Sequence, residues 1–231
     1  MSTRAAVLLG ASGMVGGFCL QALLDSRDYG RVVVMTRRQL ALAANPKLEQ
    51  KIVSFDALSA ADFAGANDIF CALGTTIRKA GTQEAFQRVD LEYPLAAARQ
   101  GLSAGATQFL LVSSAGADAA AKNFYLRTKG ELEEKLGELG YKALKIFRPG
   151  LLLGKREEVR PGERFASRIA PFLNLTLWGP LRHYRSIAAE TVGRAMVSAA
   201  MQDQSGTIFY EYDQISKLTE AFSSQHAAVS S

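Results

Sequence analysis

The feature that most constrains this chain lies within its first sixteen residues. An apolar stretch from Arg4 to Leu9 runs directly into Gly10-Ala-Ser-Gly13-Met-Val-Gly16, which opens a run with apolar residues at helical spacing, Met14 to Ser26. A GxxGxxG pattern between a strand and a helix is a nucleotide loop. Gly10 permits the tight turn, Gly13 lets backbone approach a pyrophosphate, and Gly16 permits close packing of the helix. Ser12, Met14 and Val15 complete the loop and its first helical turn, whose N–H groups and dipole favour phosphate oxygens. The expected cofactor-binding set begins with Gly10, Ser12, Gly13, Met14, Val15 and Gly16.

The rest of the chain repeats the same alternation. Arg31–Thr36, Lys51–Phe55, Asp68–Leu73, Thr107–Ser113 and Lys142–Phe147 read as strands. Thr82–Ser103 and Asn123–Leu139 read as long helices. Continuous apolar strands separated by helices predict a parallel sheet covered on both faces. That is an α/β, Rossmann-like doubly wound domain. After Gly150 the pattern predicts helices at Gly162–Leu173 and Ala188–Gln202, a strand at Thr207–Tyr212 and a short helix from Asp213. One domain is expected over 1–221, with residues from about 150 onward forming a small substrate-side region. The polar segment Phe222–Ser231 reads as a disordered tail.

Composition excludes several functions. With 48% hydrophobic and 21% charged residues among 231, the chain can bury a core without staples. Its two cysteines, Cys19 and Cys71, lack metal-ligand spacing, so no metal site is expected. The net charge of +5 comes with no basic run or aromatic interleaving, so no nucleic-acid partner is expected. No apolar run reaches membrane-spanning length, and the apolar core of the N-terminus is too short for a signal peptide. These readings predict a cytoplasmic protein.

The second strand ends in Met35-Thr36-Arg37-Arg38, with no acid to accept from an adenosine 2′-hydroxyl. Two guanidiniums at that place suit a 2′-phosphate, which predicts NADP(H) over NAD(H). Asp56, after the third strand, could bond the adenine amino group. Leu73, Gly74 and Thr75, after the fourth, could contact the central riboses. The fifth strand ends in Ser113-Ser114, and Tyr125 and Lys129 follow four apart on a predicted helix, hence on one face. The ammonium favours the phenolate and makes Tyr125 a usable proton donor and acceptor. Ser114 could hold a substrate carbonyl oxygen, with Ser113 the rival for that role. Lys129 could also bond the nicotinamide ribose. A second match, Tyr141 and Lys145, lies along a strand, where four residues span about 13 Å, too far to cooperate. Pro149 marks the exit of the sixth strand toward the nicotinamide end.

These segments together resemble the short-chain dehydrogenase/reductase superfamily, and within it the atypical branch of the Tat-interactive oxidoreductase and its bacterial relatives. The resemblance runs through GASGMVG, Arg37-Arg38, ALGTTIRKAG (72–81), QRVDLEY (87–93), LVSSAGAD (111–118), YLRTKGELE (125–133), FRPGLLLG (147–154) and RPGE (160–163). It implies NADP(H) in the crevice, a Ser114-Tyr125-Lys129 site, and cofactor contacts after Leu73 and Phe147. The expected activity is carbonyl/alcohol hydride transfer on a small-molecule substrate. Two alternatives remain open: an NADPH-binding regulator with little catalysis, or an epimerase or isomerase using the cofactor transiently. Only about 80 residues follow Gly150, which argues against a full sugar-nucleotide pocket. By analogy, the two long helices could form a homodimer bundle. Arg160, Arg164 and Arg168 read as a solvated face, Phe172 and Trp178 as core, and His183 and His226 as structural.

Overall fold

The computed structural model describes residues 3–154 and 184–227. The expected helix at 162–173, the RPGE segment, Arg160, Arg164, Arg168, Phe172, Trp178 and His183 lie outside the described residues.

Seven strands form one sheet, all paired in parallel: β1 (Arg4–Leu9), β2 (Tyr29–Thr36), β3 (Leu48–Ile52), β4 (Asp68–Cys71), β5 (Gln108–Val112), β6 (Ala143–Phe147) and β9 (Gly206–Tyr210). Their spatial order is β3-β2-β1-β4-β5-β6-β9. The order reverses between β1 and β4, and the loops leaving their carboxyl ends part to either side, which opens the crevice where such sheets bind ligands. Two short strands, β7 (Leu152–Leu153) and β8 (Ile187–Ala188), pair separately just past the end of β6.

The strand periodicity of two explains the layers. Ala6, Leu8, Val32, Val34, Phe70, Leu110 and Phe147 face one side, where α1 (Met14–Asp25), α6 (Ala189–Ala200) and α7 (Tyr212–Ala227) pack. Val7, Leu9, Val33, Met35, Ile69, Leu111 and Ile146 face the other, under α4 (Tyr93–Ser103) and α5 (Phe124–Gly137). Each such buried side chain contributes about 1.5–3 kcal/mol. α1 and α6 approach so closely that a Cβ on Gly193 would lie 2.7 Å from the Cys19 backbone nitrogen. Both thiols, Cys19 and Cys71, are fully buried.

The helix expected over Thr82–Ser103 is present: α3 (Gln83–Gln87) runs through a π-turn at Arg88–Glu92 straight into α4, and a short α2 (Ile77–Ala80) precedes it. Two expectations need correction. The third strand lies at Leu48–Ile52, and Phe55 belongs to a 3₁₀ turn, Phe55–Ala57, that plugs the α4 side. The tail is not disordered from Phe222, because α7 continues to Ala227. Ile215, Leu218 and Phe222, spaced three and four apart, are buried with α6 in the same core layer, and Thr219 donates to the Thr191 carbonyl at 2.7 Å.

Candidate active site in the sheet crevice

The glycine loop is built by close backbone approach. Gly10 has φ +88°, and a Cβ there would lie 2.4 Å from the Ala72 carbonyl oxygen, across the crevice at the end of β4. A Cβ on Gly16 would lie 2.0 Å from the Gly10 oxygen. Gly13 is the N-cap of α1, and its N–H donates to the Gly10 oxygen at 2.9 Å. No side chain caps the helix, so the N–H groups of its first turn have no intrahelical partner. Ser12 is exposed beside them and Val15 is buried in the core. Gly16, in the first turn of α1, therefore serves the loop itself, because its missing Cβ makes room for the Gly10 carbonyl.

Arg37 and Arg38 are exposed just past β2, where Thr36 donates its hydroxyl to the Arg38 carbonyl at 2.7 Å. Neither forms an ion pair with an acid among the described residues. Asp56 does not stand alone toward an adenine. Its two oxygens each accept from the Tyr93 hydroxyl at 3.2 Å, and Arg88 Nε lies 3.4 Å away. The Tyr93 ring packs on Phe55 with centroids 5.4 Å apart. The slight burial of Tyr93 and its hydrogen bond to Asp56 push its phenol up.

Lys129 on α5 comes to the loop at the end of β4. Tyr125 lies one turn before Lys129 on α5, half-buried, with its ring 5.8 Å from that of Phe86. Lys129 is buried, and its Nζ lies 2.7 Å from Asp90 Oδ1 in an ion pair rather than an aligned hydrogen bond. Asp90 Oδ2 accepts from the Thr75 N–H at 2.8 Å. A Cβ on Gly74 would lie 3.4 Å from Asp90 Oδ1 and 3.9 Å from Lys129 Nζ. Gly74 and Thr75 thus abut the Lys129 pair. Burial alone would push the Lys129 ammonium down, but Asp90 first and Tyr125 second carry it above the ordinary lysine value.

The two serines differ. Ser113 is buried and donates to Glu133 Oε1 at 2.5 Å, and Glu133 is in turn paired with Arg148. Ser114 is half-buried, and its hydroxyl lies 3.3 Å from the Ala115 carbonyl. Its loop is pressed on α5: a Cβ on Gly130 would lie 2.1 Å from the Ala119 nitrogen. Pro149 is buried at the exit of β6 and accepts from the Ala115 N–H at 2.9 Å. Tyr141 and Lys145 point apart. Tyr141 donates to the Ala98 carbonyl, and Lys145 donates to the Ala199 carbonyl in the last turn of α6 at 2.6 Å and to the Gln202 carbonyl just past its end at 2.9 Å.

Asp90 is the residue that sequence reasoning missed. It lies inside the quoted QRVDLEY segment, but an aspartate within a helical pattern reads as solvated unless its partner is known.

The described residues contain no cluster of three metal-ligating side chains, and no helix among them is long and apolar enough to cross a membrane. The chain is 40% identical to protein HTATIP2 of Rattus norvegicus over 172 residues, covering 73% of this chain and 71% of that one. It is 33% identical to the mitochondrial protein fmp52 of Emericella nidulans over 208 residues, covering 87% and 89%. No family model matches. Among solved structures, MoeE5 in complex with UDP-glucose and NAD superposes with a TM-score of 0.68 at 16% identity, covering 96% of this chain and 81% of that one. The oxidoreductase ylbE of Lactococcus lactis gives 0.64 at 16% identity, covering 96% and 98%. The word "mitochondrial" in the names of fungal relatives overturns the expectation of a cytoplasmic protein.

Proposed function

The chain belongs to the atypical short-chain dehydrogenase/reductase family, and from that premise we propose that it is an NADP(H)-dependent oxidoreductase acting on the carbonyl or alcohol of a small substrate. The observation that carries this reading is the pairing, across one crevice, of a glycine cradle with a buried lysine. A Cβ at Gly10 or Gly16 would fill the cradle. That fits a dinucleotide, whose pyrophosphate needs close backbone and free N–H groups.

When bound, the nicotinamide supplies or accepts the hydride. The chain's own residues do the rest. The first turn of α1 holds the pyrophosphate, and Arg37 and Arg38 grip the 2′-phosphate. Asp56 lies at the adenine end with Tyr93 and Arg88. Leu73–Thr75 and Lys129 line the ribose, and Pro149 shapes the nicotinamide end. Tyr125 holds the proton that the substrate oxygen gains or loses, one helical turn from the Lys129 ammonium. The engagement of Ser113 with Glu133 favours Ser114 as the group that positions the oxygen.

The test is a side-by-side titration with NADPH and NADH, followed by a carbonyl screen. NADPH is expected to bind at least about tenfold tighter, and the Arg37→Ala/Arg38→Ala variant to lose that preference by about 1–2 kcal/mol. Equal affinities in the wild type would discard the arginine reading. Tyr125→Phe is expected to abolish turnover, and full turnover in that variant would refute the mechanism. Tight NADPH binding with no hydride transfer to any carbonyl would replace an enzyme with an NADPH-binding regulator.

A further inference from the structure

We propose that Asp90 is a positioning residue, a buried counter-ion that holds the Lys129 ammonium at the crevice and ties it to the loop after β4. This rests on the role given to Lys129 above. Asp90 is 0% exposed and Lys129 4%, so each charge lies where an isolated ion costs several kcal/mol. Asp90 reaches this place from the π-turn between α3 and α4. The wider turn inserts a residue into what would otherwise be one continuous helix, and π-turns of this kind gather at functional sites.

Three chain segments then share one carboxylate. Oδ1 lies 2.7 Å from Lys129 Nζ on α5, and Oδ2 accepts from the Thr75 N–H in the β4 loop at 2.8 Å. The other titratable groups acting on Lys129 are the phenol of Tyr125 on α5 and the thiol of Cys71 at the end of β4. Neither is a second acid. Without Asp90, burial, the largest influence on Lys129, favours the neutral amine and is opposed only by Tyr125 and Cys71. The carboxylate therefore acts on cofactor and substrate only through the lysine and the loop.

The experiment reads Lys129 directly, with no cofactor or substrate present. In protein labelled with 13C-lysine, the Lys129 Cε resonance is identified by its loss in Lys129→Arg. It is expected to stay in the ammonium position from about pH 6 to about pH 10 in the wild type, and to titrate inside that window in Asp90→Asn. NADPH affinity of Asp90→Asn is expected to fall at least about tenfold between about pH 7 and about pH 9, with the wild type flat over that range and Asp90→Glu partly restored. An Asp90→Asn resonance that follows the wild type, or a pH-independent affinity, would overturn the proposal. If Asp90→Asn does not fold, the Asp90→Asn/Lys129→Met double variant decides. Recovered folding supports a counter-ion, and continued failure overturns it. A wild type that transfers no hydride would end the oxidoreductase reading and leave the Lys129 titration standing.

Discussion

Gly16 and Gly17 are neighbours on one helix, yet adding the same methyl group should have opposite effects. At Gly16 the new Cβ would lie 2.0 Å from the Gly10 oxygen, 2.6 Å from its carbonyl carbon and 3.0 Å from the Ala11 nitrogen. All three are backbone atoms, so no side chain can turn away. Gly10 cannot retreat toward β4 either, because the Ala72 carbonyl blocks that direction. Relief requires α1 and its loop to part by about 1 Å or more, the regime in which overpacking costs about 1–3 kcal/mol. For a domain of this size that lowers the melting temperature by about 4–8 °C at a cost of 2 kcal/mol. The same displacement moves the N–H groups that would hold the pyrophosphate, so NADPH affinity should fall at least about tenfold.

At Gly17 the new Cβ would meet only the Ala11 oxygen at 3.6 Å, an ordinary contact on the exposed face of α1. Glycine inside a helix costs about 0.5–1 kcal/mol relative to alanine, so Gly17→Ala should raise the melting temperature by about 1–4 °C. Its NADPH affinity should stay within about twofold of the wild type. Circular dichroism melts and fluorescence titrations of both variants decide. Equal shifts in the two, or wild-type binding by Gly16→Ala, would refute the argument from backbone contact.

Three further outcomes follow from the described geometry. Burial pushes Lys145 down to about 8 against the pull of Asp68, while an unfolded lysine titrates near 10.5. The unfolded chain therefore holds the extra proton between those values. The stability of wild type relative to Lys145→Met should rise as pH increases through that window, by up to about 3 kcal/mol in urea melts, and a flat difference would refute it. Gly130→Ala drives a Cβ to 2.1 Å from the Ala119 nitrogen, so it should destabilise by about 2 kcal/mol and loosen the Ser114 loop, read as faster amide exchange over residues 114–123. Glu133→Gln leaves Arg148 without its partner and weakens the Ser113 bond. A loss of about 3 kcal/mol in the urea midpoint analysis is expected, and a loss below about 0.5 would mean that the cluster is only decorative.

The parts of this fold that were legible in the sequence are those fixed locally. The glycine loop and the core strands β1, β2, β4, β5 and β6 have apolar runs bounded by turns, and each lies within a few residues of its expected place. The one-turn spacing of Tyr125 and Lys129 needed only a helix. What escaped depends on distant residues. β3 is an edge strand whose sequence, LEQKI, is half exposed and carries no apolar rhythm. The π-turn inside 82–103 carries Asp90, whose partner Lys129 lies 39 positions away. The last helix did leave a trace. Ile215, Leu218 and Phe222 keep helical spacing into a segment whose polar composition masked it.

The two buried thiols have a consequence for how such a protein would experience its surroundings. Burial holds both out of the thiolate form, raising Cys71 to about 11 and Cys19 further, and neither is reached by solvent. Oxidants attack the thiolate and need access to it. Neither thiol is therefore open to peroxide or to disulfide exchange while the protein stays folded. If this protein reports on the reducing state of a compartment, its cysteine thiols do not carry the message, and the ratio of reduced to oxidised dinucleotide in the crevice is the route the fold leaves open.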